Sequence, residues 1–405
     1  MKILVLNCGS SSIKYQFVET KDRNLLAKGQ VERIGMSSAI LTHQPAGKDK
    51  IKIVGEILDH SIAIEYVIAV LLSPNHGVIK DKKEIDAVGH RVIHGGETFS
   101  GSVLITDAVM KALKDNIELA PLHNPPSIKG IEAAKSHLPH APQCGVFDTA
   151  FHVKMPAKAY LYGIPLELYK RYKIRRYGFH GTSHRYVSER AAALLNKPIE
   201  DLKIITCHLG NGSSMAAIDG GHSVDTTMGF TPLEGLVMGT RCGDMDPSVI
   251  LYIMAKEGLT QAEANTLLNK HSGMIGLSGV SSDMRELEDA YMAGDKKATD
   301  AFNVFCYRIK KYVGAYTAAL GGLDALVFTG GIGENSELVR DAVCKDMKFL
   351  GIEINEELNM SRPQGEVDLS LPGSKVKVFR IPTNEELVIA LDTEEIVQNQ
   401  LNEAK

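Results

Sequence analysis

The same structural phrase occurs twice in this chain: an apolar strand, a Gly/Ser turn and a second strand. The first copy runs Ile3 to Leu6, then Gly9 to Ser12, then Ile13 to Val18, with apolar and polar residues alternating in its last part. The second runs Ile204 to Thr206, then Gly210-Asn211-Gly212-Ser213-Ser214, then Met215 to Ile218. Each reads as a hairpin, and two such hairpins suggest two related halves. Length agrees, because 405 residues exceed one ordinary core and suit two domains.

Around the hairpins, strands alternate with amphipathic helices, which implies an α/β fold. Thr260 and Glu263 form a capping box, with Gly273 expected as the stop of that helix. Asp246 before Pro247 marks another start. From about Lys297 to Leu320, Phe302, Phe305, Ile309, Val313 and Tyr316 form one stripe, predicting a helix buried against a sheet. With 44% hydrophobic residues, 23% charged residues and a formal net charge of −4, the composition is globular and argues against nucleic acid as partner. The apolar stretch Ile62 to Leu72 is interrupted by Glu65 and is too short for a membrane helix, which needs about 20 residues. The N-terminus enters a polar turn without the apolar segment and cleavage site of a secretory signal, and reads as mature sequence. Cys8, Cys144, Cys207, Cys242, Cys306 and Cys344 form no C-x-x-C pair and read as small apolar fillers in a reducing compartment.

Gly and Ser at a strand reversal let backbone N–H groups and hydroxyls converge on a phosphate. Either turn alone reads first as an ordinary hairpin; repetition shifts the balance towards the phosphate reading. Asn7, Ser10, Ser12 and Lys14 add an amide oxygen, two hydroxyls and a positive charge to the first turn. A third glycine cluster, Gly330-Gly331-Ile332-Gly333-Glu334-Asn335, follows the strand Ala325 to Thr329 and precedes a helix expected near Ser336, which suits a nucleotide. G-x-G-x-x-G and G-x-x-x-x-G-K-[ST] are both absent, which disfavours dehydrogenase and P-loop readings. Arg91 and Arg241 stand among glycines and offer rigid forks of donors to a planar oxyanion. His90 and His94 have zinc-helix spacing, but the residues between them look extended. His180 precedes Thr182 and Ser183, either of which could cap the helix running towards Leu195. Asp148 ends an apolar run as a catalytic group or a satisfied structural acceptor. Thr383-Asn384-Glu385-Glu386 offers carboxylates for Mg²⁺ or a solvated face.

NCGSSSIKY, GHRVIHGGE, VFDTAFH, RYGFHGTSHRYV, HLGNGSS, TPLEGLVMGTRCGDMDP and GGIGEN together resemble the acetokinase family, in its order and spacing, over essentially the whole chain. The resemblance implies a two-domain, duplicated ribonuclease-H-like (actin-like ATPase) fold with an interdomain nucleotide cleft. Residues 1–149, closed by a C-terminal helix at 386–405, would form one half and residues 150–385 the other. It also implies reversible, Mg²⁺-dependent phosphoryl transfer between ATP and acetate, giving acetyl phosphate and ADP by direct in-line attack. By that resemblance Asn7 and Glu385 hold Mg²⁺, for which Mn²⁺ can substitute. Ser10, Ser12, Lys14, His208, Leu209, Gly210, Asn211 and Gly212 meet the nucleotide phosphates. Asp283, Met284 and Arg285 border the adenine, with Gly331, Ile332, Gly333, Glu334 and Asn335 beneath the nucleoside. Arg91 grips the carboxylate, His180 and Arg241 stabilise the phosphoryl group, and Asp148 belongs to the active site. Ile93, Leu122, Phe179 and Pro232 surround the methyl group. Ile93 replaces an expected smaller Val, which should reduce acceptance of propionate. A cytoplasmic homodimer with no membrane or nucleic-acid partner is implied as well.

The chemistry is consistent with these roles, since phosphoryl transfer asks mainly for positioning and charge neutralisation. A carboxylate with a pKa near ~4 to 5 is already a nucleophile at neutral pH and needs no general base. Asp148 is therefore expected to orient an arginine or metal-bound water. A propionate or butyrate kinase is the nearest alternative. A non-kinase ATPase is the distant one, and it has no use for the carboxylate grip of Arg91.

Overall fold

The computed structural model describes residues 1–121 and 123–403. The chain forms two compact units, Met1–Val153 with Asn384–Lys405, and Lys154–Thr383.

In the first unit the strands are β1 (Lys2–Cys8), β2 (Ser12–Glu19), β3 (Asn24–Glu32), β4 (Ala39–Pro45), β5 (Ile51–Gly55), β6 (Ala87–Val92), β7 (Val103–Leu104) and β8 (Gln143–Phe147). They form one mixed sheet in the order β5-β4-β3-β2-β1-β6-β8-β7. β1 pairs antiparallel with β2 and parallel with β6, which in turn runs parallel to β8. Ile3, Leu4, Val5 and Leu6 are all buried, because β1 is covered on both faces. Leu4 and Leu6 share a core with Ile64 and Val67 of the His60–Leu71 helix and Ala134 of the Asn124–His137 helix. Ile3 and Val5 pack instead with Leu387, Ile389 and Val397 of the Glu385–Glu403 helix.

The second unit holds β9 (Lys203–Leu209), β10 (Ser213–Asp219), β11 (His222–Thr226), β12 (Ala325–Thr329), β13 (Val367–Asp368) and β14 (Lys377–Arg380). Their order is β11-β10-β9-β12-β14-β13. The run β11-β10-β9-β12-β14 repeats β3-β2-β1-β6-β8 in order and in sense: an antiparallel meander, then two parallel strands. This repeated sheet is the duplicated ribonuclease-H-like half of the actin-like ATPase fold. The Lys296–Leu320 helix buries Phe302, Phe305, Ile309, Val313 and Tyr316 in one core with Ile205 of β9 and Met215 of β10, as its stripe predicts.

The capping box at Thr260 is formed, Glu263 Oε2 accepting from the Thr260 N–H at 2.8 Å, and Asp246 Oδ1 accepts from the Ser248 N–H at 2.8 Å. Gly273 does not stop that helix, which ends at Lys270. It opens the next one, Gly273–Ser278, with φ +67° and no room for a Cβ beside the Met238 carbonyl, 2.1 Å away. The third glycine cluster is likewise not a turn before a helix. Gly330–Asn335 is itself a short helix leaving β12 directly, and Ser336 caps the following helix, Glu337–Cys344.

Candidate active site

In a sheet with parallel strands, ligands bind beyond the carboxyl ends of the strands. In the first unit Asn7 lies next to the last residue of β1, Arg91 near the end of β6, and Asp148 just past β8, its N–H bonded to the Val92 carbonyl at 2.9 Å. Arg91 grips Asp148 with two donors, Nε to Oδ1 at 2.9 Å and Nη2 to Oδ2 at 2.7 Å. Its third nitrogen, Nη1, stands 3.8 Å from Glu385 Oε2. Burial alone would lower the guanidinium pKa, but the charges of Asp148 and Glu385 outweigh it and raise the value. Glu385 begins its helix, with Asn384 Oδ1 accepting from the Leu387 N–H at 3.1 Å. Burial, helped by the charge of Asp148, lifts the Glu385 carboxyl above its usual range against the pull of Arg91 and Lys14.

These residues fit Mg²⁺ as a shared rather than a caged ion. Among the described residues no three His, Cys, Asp or Glu side chains converge as a metal site. Mg²⁺ normally takes only one or two carboxylates, leaving the rest to water and substrate phosphates. Glu385, desolvated and only loosely neutralised by Arg91, is a carboxylate suited to a second cation, and Asn7 contributes a hard amide oxygen. The turn after Asn7 is closed by the Gly9 N–H bonding the Ser12 carbonyl at 2.8 Å, and it leaves Ser10 and Lys14 exposed. Ile93 is half-buried one residue past β6. Leu122 lies outside the described residues.

In the second unit the turn Gly210 to Gly212 is tied by Ser213, whose Oγ donates to the Gly210 carbonyl at 2.9 Å. His180 is not followed by a Thr182 or Ser183 cap. It occupies the cap position of the Gly181–Leu195 helix itself, in the left-handed region at φ 56°, with no side-chain cap bond. Its Nδ1 instead bonds Ser214 Oγ at 2.8 Å, and its ring stacks on His208 at 4.2 Å. Ser183 Oγ pairs with His208 Nδ1 at 2.8 Å. A non-glycine residue held at positive φ stores strain, and such strain gathers at functional sites. Arg241 donates through Nη1 to the Pro232 carbonyl at 3.0 Å. A Cβ on Gly212 would lie 3.4 Å from Arg241 Nη1 and 3.8 Å from His180 Cε1, so both side chains border this glycine. Burial pulls the Arg241 guanidinium below its usual value, and among the described residues no ion pair offsets that.

A cavity of about 550 Å³ opens beside the same turn, lined by Gly210, Asn211, Ser282, Asp283, Met284, Arg285, Glu288, Gly331, Ile332, Asn335 and Ser336. That volume is ordinary for a small-molecule site. Asp283 caps the Met284–Met292 helix and holds Arg285 back, Nη2 to Oδ2 at 2.6 Å. Gly330 has φ +76°, and a Cβ there would meet the Leu209 carbonyl at 2.7 Å. Glu334 Oε1 accepts from the Gly330 N–H at 3.0 Å and the Thr383 N–H at 3.2 Å, which fixes the glycine helix from below.

The profile of the acetokinase family matches residues 2–391. The acetate kinase of Thermoanaerobacterium thermosaccharolyticum is 59% identical over 400 residues, covering 98% of this chain and 100% of its own. The crystal structure of Porphyromonas gingivalis acetate kinase superposes with a TM-score of 0.95 at 49% identity, covering 98% of this chain and 99% of the other. A propionate kinase from Francisella tularensis superposes with a TM-score of 0.90 at 41% identity, covering 98% and 99%. This chain belongs to the acetokinase family.

The structure groups the residues singled out by that family's motifs into two sets. Asn7, Ser10, Ser12, Lys14, Arg91, Ile93, Asp148 and Glu385 fall in the first unit, and Phe179, His180, Pro232, Arg241 and the nucleotide segments in the second. Sequence reasoning missed His184, whose Nδ1 bonds Thr206 Oγ1 at 2.7 Å and whose Nε2 bonds Ser214 Oγ at 2.8 Å. Its spacing of four from His180 on one helix was the available signal. It also missed Gly239, where a Cβ would fall 1.8 Å from Asn211 Oδ1, so that the Gly210 to Gly212 turn can rest directly on backbone.

Proposed function

We propose that this acetokinase-family chain transfers the γ-phosphoryl group of ATP reversibly to acetate, in line and without a covalent intermediate on the protein. The observation that carries the reading is the Arg91–Asp148 clamp, a guanidinium held flat by two bonds at a strand end. A fork fixed in that way presents its remaining donor face to a planar carboxylate. Asp148, bonded to Arg91 at both oxygens, orients the cation rather than abstracting a proton, as the acidity of acetate requires.

Nucleoside binding is assigned to the cavity floored by Gly331 and Ile332 and rimmed by Asp283, Met284 and Arg285. Gly333 and Glu334 shape that floor from beneath. Ser10, Ser12, Lys14 and His208 to Gly212 supply N–H groups, hydroxyls and charge to the phosphates. His180 and Arg241 stabilise the phosphoryl group between donor and acceptor oxygens. Asn7 and Glu385 would hold Mg²⁺, or Mn²⁺ in its place, which when bound neutralises phosphate charge. The acyl methyl is assigned to Ile93, Leu122, Phe179 and Pro232.

Reliance on ATP fits a cytoplasmic location. A homodimer is supported by the Pro247–Glu257 helix, which buries none of its residues and leaves Leu251 66% and Tyr252 64% exposed.

The deciding experiment traps acyl phosphate with hydroxylamine from ATP and Mg²⁺ with acetate, propionate or butyrate. Acetohydroxamate in excess over the longer homologues is expected, and Arg91→Ala should abolish it. ATP hydrolysis without hydroxamate would replace the kinase with an ATPase.

A further inference from the structure

Pro232 and Arg241 lie on a stretch, residues 227–246, with no helix or strand of its own. A segment without a backbone ladder takes its shape from side chains that tie it down. Here the tie is a knot around one carboxylate. Glu234 accepts from Arg176 Nη2 at 2.5 Å and from the hydroxyl of Tyr162. That hydroxyl in turn accepts from the Phe230 N–H at 2.8 Å, two residues before Pro232. Arg176 Nη1 reaches the Thr226 and Thr227 carbonyls at 3.0 and 2.9 Å. Gly229 passes so close that a Cβ there would sit 1.7 Å from Glu234 Oε2 and 2.3 Å from the Tyr162 oxygen. On the other side of the loop the Pro232 carbonyl accepts from Arg241. The path from Tyr162 through Phe230 and Pro232 to Arg241 is therefore continuous.

We propose that Tyr162, Glu234 and Arg176 are positioning residues for acyl selectivity: they set the depth of the Pro232 wall and the aim of its carbonyl at Arg241. The inference rests on the reading above, in which Pro232 faces the methyl group and Arg241 the phosphoryl group. Arg176 and Glu234 are only 16% and 30% exposed, so the ion pair is partly desolvated and its removal is felt by the loop. None of the three lines the nucleotide cavity.

Tyr162→Phe removes one hydroxyl, frees one oxygen of Glu234 and leaves the Phe230 N–H without its acceptor. The test measures kcat and KM for acetate, propionate and ATP in wild type, Tyr162→Phe and Glu234→Gln. A Pro232 wall that relaxes outward should lower kcat/KM for acetate by about tenfold while propionate falls less, so the acetate-to-propionate ratio drops by roughly 3- to 10-fold. KM for ATP should stay within about twofold, and Glu234→Gln, which keeps one acceptor oxygen and turns an N–H donor to the other partner, should be intermediate. Equal losses on both acids, or a parallel rise in KM for ATP, would make the knot merely structural and overturn the proposal. Should Tyr162→Phe fail to fold, the ratio in Glu234→Gln decides by the same criterion. A wild type that makes no acetohydroxamate sinks the parent reading; an active wild type with an unchanged ratio in both variants sinks only this one.

Discussion

Arg91 and Arg241 are one residue type in two electrostatic settings. Arg91 is already paired with Asp148 and approached by Glu385, whereas Arg241 is half-buried with its guanidinium bonded to a neutral carbonyl. A matched cation orients a ligand; an unmatched one is drawn to developing negative charge. Arg241→Ala should therefore lower kcat by about 10²-fold or more with little change in KM for acetate. Asp148→Asn should mainly raise KM for acetate, since its amide cannot hold the fork at both nitrogens; equal KM values in variant and wild type would remove Asp148 from orienting Arg91. His90 shows the opposite cost of burial. Enclosure lowers its pKa to about 4, against the pull of its 2.7 Å bond to Gln143, and burial takes His94 to about 4 as well. Below the ordinary imidazole value of about 6.5 the unfolded chain takes up protons that the folded chain refuses until about pH 4. Stability from these groups is thus complete above about pH 6.5 and is lost as pH falls from there to about 4, by about 1.4 kcal/mol per pH unit for each imidazole. Urea midpoints between pH 7.5 and 5 should decline accordingly, and less steeply in His90→Gln. An identical slope in that variant would place the acid sensitivity elsewhere.

At the scale of elements, close approach decides what the chemistry sits on. Gly89 in β6 lies under the Glu385–Glu403 helix, and a Cβ there would stand 2.5 Å from Thr393 Oγ1 and 2.7 Å from Ile389 Cγ2. Gly89→Ala should cost about 1–3 kcal/mol by overpacking and lift the helix whose first residue is Glu385. The concentration of Mg²⁺ at half-maximal activity should rise with the loss of stability; an unchanged Mg²⁺ requirement would uncouple the two. The hairpins and the long helix were legible in the sequence because period-two and period-3.6 patterns are local, and the capping box spans only Thr260 to Glu263. What was not legible depends on distant partners. Gly273 opens a helix because the Met238 carbonyl forbids a side chain there, and His180 takes the cap position with its imidazole bonded to Ser214, 34 residues on. Arg91 and Asp148 were each readable as candidates, but their bonds join residues 57 apart. The Glu234 knot was legible only in pieces: Arg176 opens RYGFHGTSHRYV and Glu234 lies in TPLEGLVMGTRCGDMDP, but their pairing spans 58 residues and Tyr162, 72 residues from Glu234, stands in no motif.

At the scale of the whole molecule the chain leaves its first unit after Val153 and re-enters it at Asn384, whereas the second unit is continuous. Among the described residues, the core around the Lys296–Leu320 helix of the second unit draws on residues between Ile205 and Val378, all from that unit. The first depends on its late return: Leu387, Ile389, Ala390 and Val397 complete a core with Ile3, Val5, Ala87 and Val146. Burying Leu, Ile and Val side chains is worth about 1.5–3 kcal/mol each, so the three large ones supply roughly 5–9 kcal/mol. That is comparable to the whole stability of a typical domain, about 5–15 kcal/mol. A chain ending at Thr383 should consequently lose hydrogen-exchange protection in β1, β6 and β8 while β9, β12 and β14 keep theirs. Mass spectrometry of exchanged peptides reads both sheets in one experiment. Protection retained in β1 would show that the terminal helix is dispensable to its unit, and protection lost in both sheets would show that the second unit does not stand without the first.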